Sequence, residues 1–116
     1  QIGTAFLLCP EADTSSVHRH ALRNQHNAET ALTNVFSGRP ARSIINRIID
    51  EIGPFNPLAP TFPLAGTAIG PLRSHAESLA SGDFSPLWAG TNNKHCRDIP
   101  AAQLLAELAT GLAQRI

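Results

Sequence analysis

Three stretches of the chain combine residue types that can do chemistry. The first is Gly3-Thr4, inside the apolar opening Gln1-Ile2-Gly3-Thr4-Ala5-Phe6-Leu7-Leu8. At a strand end, a glycine exposes its N–H and lets an anion approach; the threonine adds a second N–H and a hydroxyl. The pair suits a phosphate, above all at the C-terminal end of a barrel strand, where the loops after the last two strands commonly bind one. The plainer alternative is an ordinary Gly-Thr within a strand. The second stretch is Trp88-Ala89-Gly90-Thr91-Asn92-Asn93, which holds the one tryptophan. A large aromatic beside a polar glycine turn suits a ring-binding cleft or a lid over one. The alternative is that Trp88 anchors the loop to the core. The third comprises His75 and His95, either of which has the chemistry of a general base. His75 falls in a helix pattern and reads as a surface or packing residue, and His95, after Lys94, reads as exposed. No serine–histidine–acid set, dinucleotide-binding glycine pattern or Walker-type loop is present.

Other chemistries are disfavoured. Cys9 and Cys96 stand far apart with no Cys-x-x-Cys, and no Cys/His spacing matches a structural zinc site, so both read as reduced thiols. His18 and His20 are two residues apart on a helix pattern and point to different faces, a poor metal pair. Eight arginines and one lysine balance nine acids, so no nucleic-acid footprint is expected. The one local basic cluster is Arg39, Arg42 and Arg47, more often solvated or paired than anion-binding. No apolar run approaches the roughly twenty residues that span a bilayer, and no secretory signal is visible. A cytoplasmic location is the expectation.

The elements that must position these residues follow from periodicity. Residues 1–8 read as a buried strand, whose start on the first residue suggests an upstream part outside this chain. A peripheral helix is expected from Thr14 to about Gln25, and a short strand over 30–36, ended by the turn Ser37-Gly38-Arg39-Pro40. Ile44, Ile45, Ile48, Ile49 and Ile52 form a helical stripe, predicting a helix over 41–52. Residues 53–70, with Pro54, Pro57, Pro60 and Pro63, read as a long loop, and such loops are often functional. Pro71 should open a helix that Gly82 ends. Asp98 should cap a last helix with the stripe Leu104, Leu105, Leu108, Leu112.

At three blocks the chain resembles a known family. Gln1-Ile2-Gly3-Thr4-Ala5-Phe6-Leu7 with Pro10-Glu11-Ala12 is similar to the end of the last barrel strand of nitronate monooxygenases, formerly 2-nitropropane dioxygenases. Thr33-Asn34-Val35-Phe36-Ser37-Gly38-Arg39-Pro40-Ala41-Arg42 with Asn46-Arg47 resembles the family's next block. Gly82-Asp83-Phe84-Ser85-Pro86-Leu87-Trp88-Ala89-Gly90 resembles the loop that returns toward the flavin. The blocks stand in the family's order and cover nearly the whole chain.

The resemblance implies an α/β fold: the C-terminal fragment of an FMN-binding (β/α)8 barrel with a mainly helical cover subdomain. It divides the chain into 1–29 (last barrel strand and following helix), 30–90 (cover segment and connecting loops) and 91–116 (a helix packing on the barrel). It implies FMN as cofactor, with Gln1, Gly3, Thr4, Trp88, Gly90 and Thr91 as cofactor-binding residues and no metal. The flavin phosphate would rest mainly on the backbone of Gly3 and Thr4. The catalytic histidine and second phosphate loop would lie upstream, so no catalytic residue is assigned here. An alkyl nitronate and O2 would be the substrates, and the upstream part of the barrel the partner, with homo-oligomerisation open. One departure stands out: many members have Ala-Gly-Gln where this chain has Ala89-Gly90-Thr91. Related flavin barrels reduce enoyl thioesters with NAD(P)H, which is the enzymatic alternative. A small helical interaction domain without flavin dependence is the non-enzymatic one.

Overall fold

A computed structural model describes residues 2–24 and 28–116. Gln1 and the end of the first expected helix, with His26, lie outside the described residues. The chain forms a 3-10 turn (Gly3–Phe6), α1 (Ser16–Asn24), β1 (Thr30–Thr33), β2 (Ala41–Ile44), α2 (Arg47–Ile52), α3 (Leu64–Ser78) and α4 (Ala101–Ala113). This is an α/β arrangement with one small antiparallel sheet, and no closed barrel occurs among the described residues.

The opening strand is corrected to a 3-10 turn. A strand needs a neighbour to receive its N–H and C=O groups, and no described segment pairs with residues 2–8. Their bonds close locally instead: Leu7 N–H donates to the Thr4 carbonyl and Cys9 N–H to that of Phe6, both at 3.1 Å. Arg19 on α1 then fixes the next stretch, donating to the carbonyls of Leu8, Cys9, Ala12 and Thr14. A planar guanidinium with five donors suits such a fan of carbonyls.

The expected helix over 41–52 divides. Residues 41–44 pair with β1 in the register Thr30↔Ile44 through Thr33↔Ala41. On the other edge, Ile44 N–H donates to the Leu87 carbonyl at 2.8 Å and Ala89 N–H to the Arg42 carbonyl at 3.3 Å. With hydrogen-bond partners on both sides, this stretch gains more as a central strand than as a helix turn. Asn46, extended, precedes α2. The isoleucine stripe therefore serves two cores. Ile44 joins Leu8, Ala21, Leu22, Leu87 and Ala89, whereas Ile48 and Ile49 join Val35 and Phe36.

The loop expected over 53–70 is shorter, because α3 begins at Leu64 and runs through Pro71. Pro71 removes one helical hydrogen bond, but Ala65 is fully buried and Ile69 packs on the Val35–Phe36 cluster, which offsets the loss. The helix stops at Ser78, before Gly82, with Ala80 in the left-handed region at φ 59°. The turn at Ser37–Pro40 holds: Gly38 has φ 90°, and a Cβ there would lie 2.4 Å from the Phe62 nitrogen.

Asp98 does not cap α4. It pairs with Arg23, and Glu11 Oε2 accepts the Ala101 N–H at 2.9 Å instead. Of the expected stripe only Leu104 is buried; Leu105 and Leu112 are exposed. No helix is long and apolar enough to cross a membrane, among the described residues.

Candidate functional site

The first and last blocks of the chain meet. Gly90 N–H donates to Thr4 Oγ1 at 2.8 Å, joining residues 86 positions apart. A neighbouring bond reinforces the junction: Cys96 Sγ lies 3.4 Å from the Thr4 carbonyl. An open cleft of about 670 Å3 lies along this seam, with Thr4, Gly90, Thr91, His95, Arg97 and Leu104 among its walls. Arg97 is paired with Glu107, which raises the guanidinium's pKa and holds the carboxyl below its usual range.

The glycines at the seam have distinct reasons. A Cβ on Gly3 would meet nothing within 4 Å, so no atom of the described chain requires a glycine there. A Cβ on Gly90 would lie 3.4 Å from Thr4 Oγ1, so a bulkier residue would press on the hydroxyl that Gly90 binds.

The loop that carries Gly90 is fixed peptide by peptide. Asn46 Nδ2 donates to the Gly82 and Ser85 carbonyls, both at 2.8 Å, while its Oδ1 is buried without a partner. Ser43 Oγ accepts the Leu87 N–H at 3.0 Å. His18 Nε2 lies 3.0 Å from the Trp88 carbonyl. Burial holds the His18 ring below the usual histidine pKa, against the opposing pull of that carbonyl, so the neutral ring donates from Nε2. Asn93 Nδ2 donates to the carbonyls of Gly90 and Ala28.

Of the residues singled out in the sequence, the fold brings Thr4, Gly90, Thr91 and His95 to one cleft, with Gly3 exposed beside Thr4. Trp88 lies two residues before Gly90 and does not line the cleft. Its ring packs edge-on against Phe36, with centroids 5.6 Å apart and planes at 90°, which fits the anchoring alternative. His75 stands exposed on α3, away from the cleft. The arginine cluster disperses: Arg39 lies over the Phe62 ring, Arg42 bonds Thr30 Oγ1, and Arg47 pairs with Glu51. No group of three or more His, Cys, Asp or Glu could hold a metal, among the described residues. The sequence reading missed His18, Asn46 and Asn93 as loop holders, since nothing in spacing reveals a partner 36 to 70 residues away.

The cleft walls carry the hydroxyls of Thr4 and Thr91, groups that suit an anionic oxygen.

The family model described as nitronate monooxygenase matches residues 1–111. The nitronate monooxygenase of Pseudomonas aeruginosa is 40% identical over 113 residues, covering 97% of this chain and 32% of that relative. A probable nitronate monooxygenase of Bacillus subtilis is 34% identical over 109 residues, covering 93% of this chain and 31% of its own length. The solved structure of a nitroalkane oxidase from Streptomyces ansochromogenes superposes with a TM-score of 0.85 at 38% identity, covering 96% of this chain and 32% of that one. The chain thus spans about a third of the length of the curated relatives it matches. With the family's match running through both blocks that meet at Thr4 and Gly90, the chain belongs to the nitronate monooxygenase family.

Proposed function

We propose that this chain is the phosphate-gripping and cover-bearing part of an FMN-dependent oxidoreductase that oxidises alkyl nitronates with O2. The observation that carries the reading is the Gly90–Thr4 hydrogen bond, which joins the two blocks that resemble the family's flavin-side segments. The residues present fit a phosphate ester. The open space where a Gly3 Cβ would stand leaves room for an oxygen to approach the backbone, and backbone donors serve it without side-chain entropy cost.

In this proposal Gly3 and Thr4 hold the phosphate through their N–H groups and the Thr4 hydroxyl, with Gln1 alongside. Gly90 and Thr91 close the other wall, and Trp88, seated on Phe36, anchors the loop that delivers them. Thr91 offers a hydroxyl where many members offer a glutamine amide, so any contact there is shorter in reach. When bound, the flavin supplies the electron-accepting ring that the nitronate reduces and O2 reoxidises. The residues of this chain hold and orient it; the groups that handle the substrate proton belong to a preceding barrel part. Residues 1–29 would belong to the barrel, 30–90 to the cover and 91–116 to a helix docked on the barrel, in a cytoplasmic enzyme.

The test is made on the full-length protein. Its flavin is released by denaturation and identified, and O2 uptake with an alkyl nitronate is compared with NAD(P)H oxidation on an enoyl thioester. FMN with nitronate-dependent O2 uptake supports the proposal. Nicotinamide oxidation without nitronate turnover would assign the reductase reading, and a colourless protein would remove both.

A further inference from the structure

His18 has no place in the chemistry just described, yet it is one of the few buried polar side chains, 8% exposed. Its backbone is fixed by Ser15 Oγ, which accepts the His18 N–H at 3.3 Å. Its ring reaches across 70 residues to the Trp88 carbonyl at 3.0 Å. Two residues further along the loop, Gly90 N–H sits on Thr4 Oγ1. A hydroxyl that accepts an N–H on one lone pair keeps its own proton to donate.

We propose that His18 is a positioning residue: through the Trp88 carbonyl it holds the Gly90 amide on the Thr4 hydroxyl, leaving the hydroxyl proton for an anionic oxygen in the cleft. The inference rests on the reading of Thr4 as part of the flavin phosphate grip. The alternative role, proton transfer with substrate, does not suit a buried ring whose Nε2 is already committed to a backbone carbonyl. Other holders of the same loop act at different points. Ala89 N–H is held by the Arg42 carbonyl and the Gly90 carbonyl by Asn93, so the Trp88 carbonyl is the point at which α1 grips the loop.

The experiment uses the full-length protein stripped of flavin and two polar replacements. His18→Gln keeps an amide donor at about the reach of Nε2; His18→Asn is too short to meet the Trp88 carbonyl. FMN and riboflavin, which lacks the phosphate, are titrated against each variant shown to be folded by circular dichroism. His18→Asn should weaken FMN binding about tenfold, equivalent to about 1.4 kcal/mol. Riboflavin binding should stay within about twofold, and His18→Gln should recover most of the FMN affinity. In a Thr4→Val background, His18→Asn should cause little further loss, because the two act through one contact. Equal losses for FMN and riboflavin, or full additivity with Thr4→Val, would overturn the proposal. Should His18→Asn not fold, His18→Phe, which fills the ring's volume without a donor, is read by the same criteria. Gly3→Val separates the two levels. If it weakens FMN binding while His18→Asn does not, only the positioning role fails; if neither does, the phosphate reading fails.

Discussion

The segments 53–63 and 82–93 both cross the molecule with little regular structure, and they are held in opposite ways. The first hangs from one end of β1. Thr33 Oγ1 donates to the Pro54 carbonyl, and Asn34 and Asn56 exchange a pair of hydrogen bonds at 3.0 Å. Beyond these points its apolar side chains face outward, with Leu58 87% exposed and Phe55 and Phe62 about half exposed. The second is gripped from α1, β2, the residue before α2 and the 3-10 turn, and buries Ser85, Leu87, Ala89 and Asn93. The contrast teaches what each presents. A loop tied at several peptides keeps its backbone in one place, because an amide cannot compensate for misplacement by rotating a side chain. A loop that offers apolar surface needs only its ends tied.

The largest effect is expected where the two segments share a support. Phe36 packs on Trp88 of one, and its carbonyl lies 3.4 Å from where a Gly66 Cβ would stand in the helix that follows the other. Phe36→Ala should cost about 3–5 kcal/mol, measured by denaturant unfolding. Gly38→Ala strikes the first segment alone. The left-handed conformation costs a side chain about 1–3 kcal/mol, and the Cβ would stand 2.6 Å from the Pro60 carbonyl oxygen. A loss below that range would mean the 60–62 backbone moves freely aside. Next comes a matched pair. Asn46→Ala deprives the Gly82 and Ser85 carbonyls of their donor and should cost about 1–3 kcal/mol, whereas Asn34→Ala removes two bonds to the single residue Asn56 and should cost about 0.5–1.5 kcal/mol. Equal values would erase the distinction drawn between the segments.

The smallest effect is a pH dependence. His18 in the folded chain has a pKa below the ordinary value of about 6.5, through burial. The unfolded chain therefore takes up this proton first as pH falls, and stability declines from about pH 6.5 downward until the folded ring also protonates. His18→Gln should flatten that part of the profile. Glu77, held below the usual carboxylate range by Arg73 and Ser85, contributes a separate loss in the more acid range. A profile unchanged by His18→Gln would place the acid sensitivity elsewhere.

Local signals in the sequence carried over where a local cause decides the structure. The turn at Gly38, the helix after Thr14 and the first part of the strand expected over 30–36 follow from glycine freedom, periodicity and β-branching within a few residues, although the strand ends at Thr33 where 34–36 bend into the turn. Failures fall where a distant partner decides. Ile44 is a strand because β1 and the 87–89 loop flank it, although its spacing to Ile48 is helical. Asp98 has the residue type and place of a helix cap, but Arg23 offers it a charged partner and Glu11 takes the cap. For the candidate site, residue types and family resemblance single out Gln1, Gly3, Thr4, Trp88, Gly90 and Thr91. That Thr4 and Gly90 touch, and that His18, Asn46 and Asn93 hold the loop in place, depends on tertiary geometry that no spacing encodes.

The central claim is that the Gly3–Thr4 backbone holds the flavin phosphate, and it is tested most directly by FMN affinity in Gly3→Val. Because a Cβ at Gly3 meets no atom of the described residues within 4 Å, the substitution reads chiefly on what approaches from outside. The dissociation constant, measured on the folded full-length protein, should rise sharply. It should exceed the effect of Thr4→Ala, which keeps the N–H and is expected to cost about 0.5–3 kcal/mol. Unchanged FMN affinity in Gly3→Val would contradict the account and move the phosphate to another part of the protein.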